Sequence, residues 1–461
     1  MFDTTVTLSG ADSAGDPTRP LVWSPGTPGY TAADPWNRAV ASRPAAVIEA
    51  STPEDVAWAV RYAGDHGLRV AVRSSGHGAV PLDPSTVLVH TASMNGFRID
   101  PARRRALISA GTKWRPVLHA AGPFGLAPIC GSAPGIGAVG SLTGGGLGPV
   151  ARTYGVSSDR VRAIQVVTGD GRILRTTPEE HEDLFWGLRG GKATLGIVTA
   201  IDLELPTLQQ FYGGAVWFDA VDGGRVLQAW LGLCDELPER GTTSAAIIRL
   251  PAIDAIPGPI AGRQTVAVRF AWTGHPADGD RYLDAIRRSA HAVLDDVHIR
   301  PYTEIGDVHS DPVAPSAVIQ QSMLLAELPS DAIDVLLDTV SDQENRQNIV
   351  ELRQLGGAVA REPRHASAVC HRDASFSLLV AGSATNEADL VAIHAARVIQ
   401  AMSPWSTGGL LPNFAASDDA AVIRRCYDRD SLHWVVSLGD QYDPQHVLDV
   451  GQVARSAQSS S

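Results

Sequence analysis

Two glycine-rich segments set the narrowest limits on what this chain can fold into. A short apolar run, Leu68-Arg69-Val70-Ala71-Val72, leads directly into Arg73-Ser74-Ser75-Gly76-His77-Gly78. A strand ending in small residues leaves backbone N–H groups unpaired and close together, a concavity that suits a diphosphate. His77 stands in the middle of it. By itself a histidine in such a turn reads as a surface or hydrogen-bonding residue. Downstream, Gly131-Ser132-Ala133-Pro134-Gly135-Ile136-Gly137-Ala138-Val139-Gly140 continues into Ser141-Leu142-Thr143-Gly144-Gly145-Gly146-Leu147-Gly148 and supplies a second cradle.

That second segment matches the dinucleotide fingerprint literally, Gly135-x-Gly137-x-x-Gly140, with Asp159 about twenty residues on. The fingerprint belongs between a strand and a helix. Here Ala127-Pro128-Ile129 before it is no strand, and a further glycine cluster follows, so the Rossmann reading is rejected. Gly190-Gly191-Lys192 lacks the earlier glycine of a phosphate-binding loop and has Ala193 where Ser or Thr belongs. His371-Arg372-Asp373 imitates a kinase catalytic loop, but Leu378 replaces the metal-binding Asn.

Taken in order, the segments resemble the vanillyl-alcohol oxidase and berberine-bridge-enzyme superfamily of flavoproteins, in particular its bacterial 6-hydroxynicotine-oxidase-like members. The resemblance rests first on Arg43-Pro44-Ala45-Ala46-Val47-Ile48, the His77 loop, Gly137 through Gly148, and Ala151-Arg152-Thr153-Tyr154-Gly155-Val156-Ser157-Ser158-Asp159. It continues through Val166 to Gly171, Asp183 to Gly191, Gly196-Ile197-Val198-Thr199, Asn413-Phe414 and Tyr442-Asp443-Pro444. It implies an α+β fold: an FAD-binding domain of the PCMH type (two α+β subdomains) over 1–206, and a substrate domain with an antiparallel sheet covered by helices over 207–402. Residues 403–461 would return to the cofactor domain. It also implies covalent FAD, joined through its 8α-methyl group to His77. The cofactor-binding set carried over is Ser74, Ser75, Gly76, His77, Gly78, Ala133, Pro134, Gly137, Gly140, Ser141, Thr143, Gly144, Gly145, Gly148, Tyr154, Ile197, Val198 and Asn413. Relatives often carry a second link, from a cysteine eleven residues before the glycine triplet. That position is Ala133, which has no sulfur, and Cys130 nearby reads as a small buried apolar residue.

Other departures concern catalysis. Leu411 stands where relatives often have a tyrosine, and Gly451-Gln452-Val453 where they often have Asn-x-Asn. The catalytic base is therefore open: none is needed for a neutral amine, and otherwise Gln354, His371 and Arg372 are the candidates, in strand-like segments of the second domain. The implied activity is hydride transfer from an alcohol or amine of a small, secondary-metabolite-like substrate to FAD, with dioxygen as acceptor and hydrogen peroxide as product. Alternatives are a dehydrogenase with another acceptor, or a flavin-retaining protein that acts as a non-redox cyclase or sequesters a ligand.

Bulk properties agree. The length of 461 residues suits two or three domains, and 44% hydrophobic residues suffice for a core. A net charge of −12 argues against a nucleic-acid partner. Four cysteines without a CxxC pair and fourteen histidines without HExxH spacing offer no metal or disulfide framework. Neither a secretory leader nor a membrane-length apolar run is evident, so the expectation is a soluble cytoplasmic monomer or homodimer.

Local patterns predict strands at 45–50, 68–72, 87–89 and 106–110, then 213–218, 245–250, 265–270, 349–353 and 376–380. They predict helices from Glu54 to His66 (capped by Ser51 or Thr52), from Lys113 to Ala121, near 222–236 and near 278–293. The small, polar stretch Ala454 to Ser461 reads as disordered.

Overall fold

A computed structural model describes residues 19–341 and 346–457. Its strands form three sheets. The first contains β1 (Leu21–Trp23), β2 (Ala46–Glu49), β3 (Arg69–Arg73) and β4 (Thr86–His90), in the order β1-β2-β4-β3. The β2–β4 and β4–β3 pairs are parallel. Parallel neighbours need a crossover, here the helix Pro53–Asp65, which packs Val56, Ala57 and Val60 into the same core as Ile48 and Val87. Thr52 is its cap: its hydroxyl accepts from the amide of Asp55, whose carboxylate accepts from the Thr52 amide. Gly67, at φ +65°, ends the turn and delivers the chain into β3.

The second sheet joins β5 (Phe97–Asp100), β6 (Arg105–Ser109), β7 (Val161–Val167), β8 (Ile173–Thr176) and β9 (Ile197–Glu204) in the antiparallel order β5-β6-β9-β7-β8. The second glycine segment crosses between β6 and β7, and residues 138–142 form a short helix there.

The third sheet has eight strands: β10 (Gln210–Asp219), β11 (Gly241–Arg249), β12 (Gln264–Trp272), β13 (Ala292–Asp295), β14 (His298–Pro301), β15 (Val318–Leu325), β16 (Ile349–Gln354) and β17 (Phe376–Ser383). Every pair in it is antiparallel. Helices Gly223–Glu236, Pro276–Ser289, Ser330–Val340 and Ala388–Ala401 cover one face, where Val268, Val350, Leu352 and Val380 meet Trp230, Leu283, Leu336 and Val398. With a period of two, the alternate residues of β16 (Ile349, Glu351, Arg353) take the opposite face. This is the α+β architecture expected.

The tail beyond Ala401 leaves this sheet. Ile423, Tyr427, Val435 and Leu438 share a core with Leu184, Leu188 and Leu203, while Val447 and Leu448 reach the β2–β4 core. One expectation is corrected at its end. Residues 454–457 are a buried 3-10 turn in which Arg455 binds the carboxylates of Asp443 and Asp449 and the Gly439 carbonyl. Small residues followed the surface by composition alone, but here Ala454 and Ala457 fill core space and Arg455 has buried partners. Residues 458–461 lie outside the described residues.

Candidate active site

The His77 loop leaves the end of β3 and folds against the second glycine segment. Ser75 joins the two: its hydroxyl accepts from the Gly137 amide at 3.1 Å and lies 3.0 Å from His77 Nδ1. The approach is close: a Cβ at 137 would lie 3.2 Å from Ser74 Oγ. Around Gly78, Gly135 and Gly140 no atom lies within 4 Å of where a Cβ would be, so the rims of both loops are open. From the other side residues 33–42 clasp the loop. Trp36 stacks on the His77 ring, with centroids 4.6 Å apart, and the Arg73 guanidinium binds the Ala33 carbonyl and Ser42. Burial holds the His77 imidazole down at about 4, assisted by the Lys113 ammonium and opposed by Asp311. The ring is therefore neutral, with a nitrogen lone pair available.

Gly144 and Asn413 mark a second end. Asn413 donates from Nδ2 to the Ser141 carbonyl at 2.8 Å, and its Oδ1 accepts from the Lys192 ammonium, which also reaches the Gly140 carbonyl. Enclosure lowers Lys192 to about 8. Sequence reading missed Lys192 because it set the Gly-Gly-Lys run aside as a failed phosphate loop.

Facing the glycine segment, the helix-free face of the large sheet closes a cavity between Gly148 and Ala151 on one wall and Ser244, Arg269, His309, Arg353 and Gln354 on the other. Behind that wall is the wholly buried Glu351. Arg269 approaches its Oε1 at 2.5 Å, Arg353 its Oε2 at 2.7 Å, and Ser244 donates to Oε1 at 3.0 Å. His309 Nε2 lies 3.3 Å from the same carboxylate, but among the described residues neither ring nitrogen has a partner of hydrogen-bond geometry. Despite burial, the two guanidinium groups hold Glu351 well below the usual carboxylate range. Burial and Arg353 push His309 down, leaving it neutral. None of Glu351, Arg269, Arg353 and His309 was picked out in the sequence. The available signal was Glu351 and Arg353 two positions apart in β16, and the lone Arg269 within the apolar run of β12.

The family described as FAD binding domain matches residues 44–177, which include both glycine segments. The (R)-6-hydroxynicotine oxidase of Paenarthrobacter nicotinovorans is 28% identical over 275 residues, 59% of this chain and 58% of that protein. Among solved structures, 6-hydroxy-D-nicotine oxidase from Arthrobacter nicotinovorans superimposes with a TM-score of 0.80 at 22% identity, covering 93% of this chain and 96% of that one. A berberine-bridge-enzyme-like protein of Physcomitrella patens gives 0.80 at 17% identity, with 93% and 95% covered. Residues 44–177 are thus an FAD binding domain, and the chain as a whole has the fold of these solved structures. The sequence alignment with the nicotine oxidase spans less than two thirds of that enzyme.

Within this flavoprotein frame, the residues carried over by resemblance fall into separate places. Ser74, Ser75, Gly76, His77, Gly78, Gly137 and Gly140 form the joined loops, and Ala133 and Pro134 the turn leading into them. Ser141, Thr143, Gly144 and Gly145 lie at the Lys192–Asn413 end, and Gly148 lines the cavity. The open loop rims and the neutral imidazole fit a dinucleotide. Ile197 and Val198 point their side chains into two different cores, so their backbone is what they can offer a ligand. Tyr154 packs on the large core under the Arg160 guanidinium. Cys130 is wholly buried, its thiol pushed up to about 12. Trp186 is a partly buried residue packed on the same core.

Of the three catalytic candidates, Gln354 lines the cavity, with its amide nitrogen on the Cys234 carbonyl and its Oε1 unpartnered. The other two are not on strands. His371 sits in a turn at φ +58° with Nε2 2.9 Å from the Arg425 carbonyl. Arg372 forms a two-pronged ion pair with Asp159, 2.6 and 3.1 Å, which also accounts for the acid of the false fingerprint. Neither lines the cavity. The turn at 371–374 precedes β17, and its polar residues serve contacts between loops.

Proposed function

We propose that this protein is an oxidase of a small alcohol or amine, carrying FAD linked to His77. The observation that supports it is a neutral, partly exposed imidazole between two joined glycine loops, the second of which runs on to Gly148 in the wall of a cavity that also holds charged side chains of the large sheet. When bound, the flavin supplies a two-electron acceptor that takes hydride from the substrate and passes the electrons to dioxygen, giving hydrogen peroxide. The chain's own residues do the rest. Ser75 orients His77 through Nδ1, and Trp36 limits the ring's rotation by stacking. The sheet and the 147–151 segment wall the cavity on two sides. His309, neutral and unpartnered beside Glu351, accepts the proton that an alcohol must lose, and the carboxylate stabilises the imidazolium that results. Gln354 Oε1 is placed to accept a hydrogen bond from a substrate O–H or N–H.

The test is direct. Acid-denatured protein is expected to keep its yellow colour, and a peptide digest to locate the flavin on His77. The His77→Ala variant should release all its flavin on denaturation. Colour released from the wild type would refute the linkage, and slow reoxidation of reduced flavin in air would refute the oxidase in favour of another acceptor.

A further inference from the structure

The cavity under the large sheet holds more positive charge than its own acid can neutralise. Arg269 and Arg353 both turn to Glu351, so one carboxylate faces two guanidinium groups. Next in sequence to Ala151, which lines the cavity, Arg152 is buried with Nε and Nη1 unpartnered among the described residues; its backbone amide meets Thr242, and Nη2 donates to the Leu237 carbonyl. The carboxylate that acts on Arg152, Glu239, is engaged on the surface by Arg361. Unmet polar groups accompany this charge. Among the described residues, Arg269 Nε and both ring nitrogens of His309, one a donor and one an acceptor in the neutral imidazole, are buried without a hydrogen bond, and these residues are 3% and 7% exposed. Arg353 commits Nε and Nη2 to Glu351, while Nη1 makes no hydrogen bond among the described residues. The Phe414 ring lies under that guanidinium at 5.2 Å and fixes its plane.

A buried cation without a counter-charge is costly, and a buried donor without an acceptor adds to the cost. Such a constellation is retained where a ligand completes it. A carboxylate suits the vacancy: it brings one negative charge, and its flat pair of oxygens matches a guanidinium edge held in one plane. We infer that the substrate bears a carboxylic acid group, received in this cavity by Arg353 and Arg269 with His309 beside it. This rests on the reading of the cavity as the substrate site. The acid anchors the molecule in the cavity with the hydroxyl-bearing carbon still within reach of His309.

The experiment is calorimetric titration of the purified protein with benzoate and cinnamate against benzamide and cinnamamide, at low and high salt. Each acid is expected to bind at least tenfold more tightly than its amide, with the preference shrinking as salt rises. Arg353→Gln should abolish the preference, and Arg353→Lys should keep part of it. Equal binding of acid and amide to the wild type overturns the proposal. So does a preference that survives in Arg353→Gln. If Arg353→Gln does not fold, Arg353→Lys and the wild-type comparison still decide it. A flavin potential that moves in Arg353→Lys, with no acid preference in the wild type, would assign the charge to the cofactor instead and also overturn the proposal. These readouts need no turnover. Colourless protein would refute the flavin reading separately.

Discussion

The two walls of the site are built in opposite ways. The cofactor-side wall consists of backbone and small side chains: the 73–78 and 131–148 loops meet through Ser75 and Gly137, and their outer rims are bare. The wall of the large sheet consists of long charged side chains anchored to one buried carboxylate. On the proposed function the first wall holds the cofactor and the second selects the substrate, so the walls should fail differently when altered.

The largest effect is expected on the backbone wall. A Cβ at Gly148 would lie 1.8 Å from the Cys130 carbonyl oxygen, which neither segment can relieve by a rotamer change. Gly148→Ala should give aggregated protein or protein without flavin; a soluble, fully flavinylated product would show that this wall yields. On the sheet wall, Glu351→Ala leaves two guanidinium groups buried together, at a cost of about 3–5 kcal/mol. Chemical denaturation should report that loss, and a change below about 1 kcal/mol would mean water already screens the cluster.

Smaller effects separate the histidines. His309→Asn should slow flavin reduction by an alcohol about a hundredfold with flavin content unchanged. His371→Asn should change it less than threefold, because its ring serves the Arg425 carbonyl. The reverse result would exchange their roles. The smallest effect concerns pH. His77 titrates at about 4 instead of near 6.5, so its lone pair is lost only as pH falls through about 4. Flavin attachment during reconstitution should stay constant from pH 7 down to about 5 and fail below about 4. An acid limb near 6.5 would mean that the loop is open to solvent. Since Lys113 contributes to the lowering, Lys113→Met should move the limb upward.

Legibility followed the same division. The helix at 53–65 could be read because Thr52, Pro53 and Asp55 act on one another within a single turn. The His77 loop could be read because glycine positions reveal backbone geometry. Candidates from the second domain fared differently. His371 and Arg372 stood out as polar residues near a strand, yet their partners, Arg425 and Asp159, are remote in sequence. Glu351 and Arg269, 82 positions apart, show no sign of each other until β16, β11 and β12 are in register.

The sequence alone determined the two glycine-rich loops, the succession of sheets and the absence of a sulfur at position 133, since each depends on near neighbours or on residue identity. Only the tertiary structure decided which charges share the cavity, that Lys192 meets Asn413, and that residues 454–457 are buried. Those outcomes depend on side chains that meet after long loops close, and pairing energies of that kind leave no periodicity in the chain to be read.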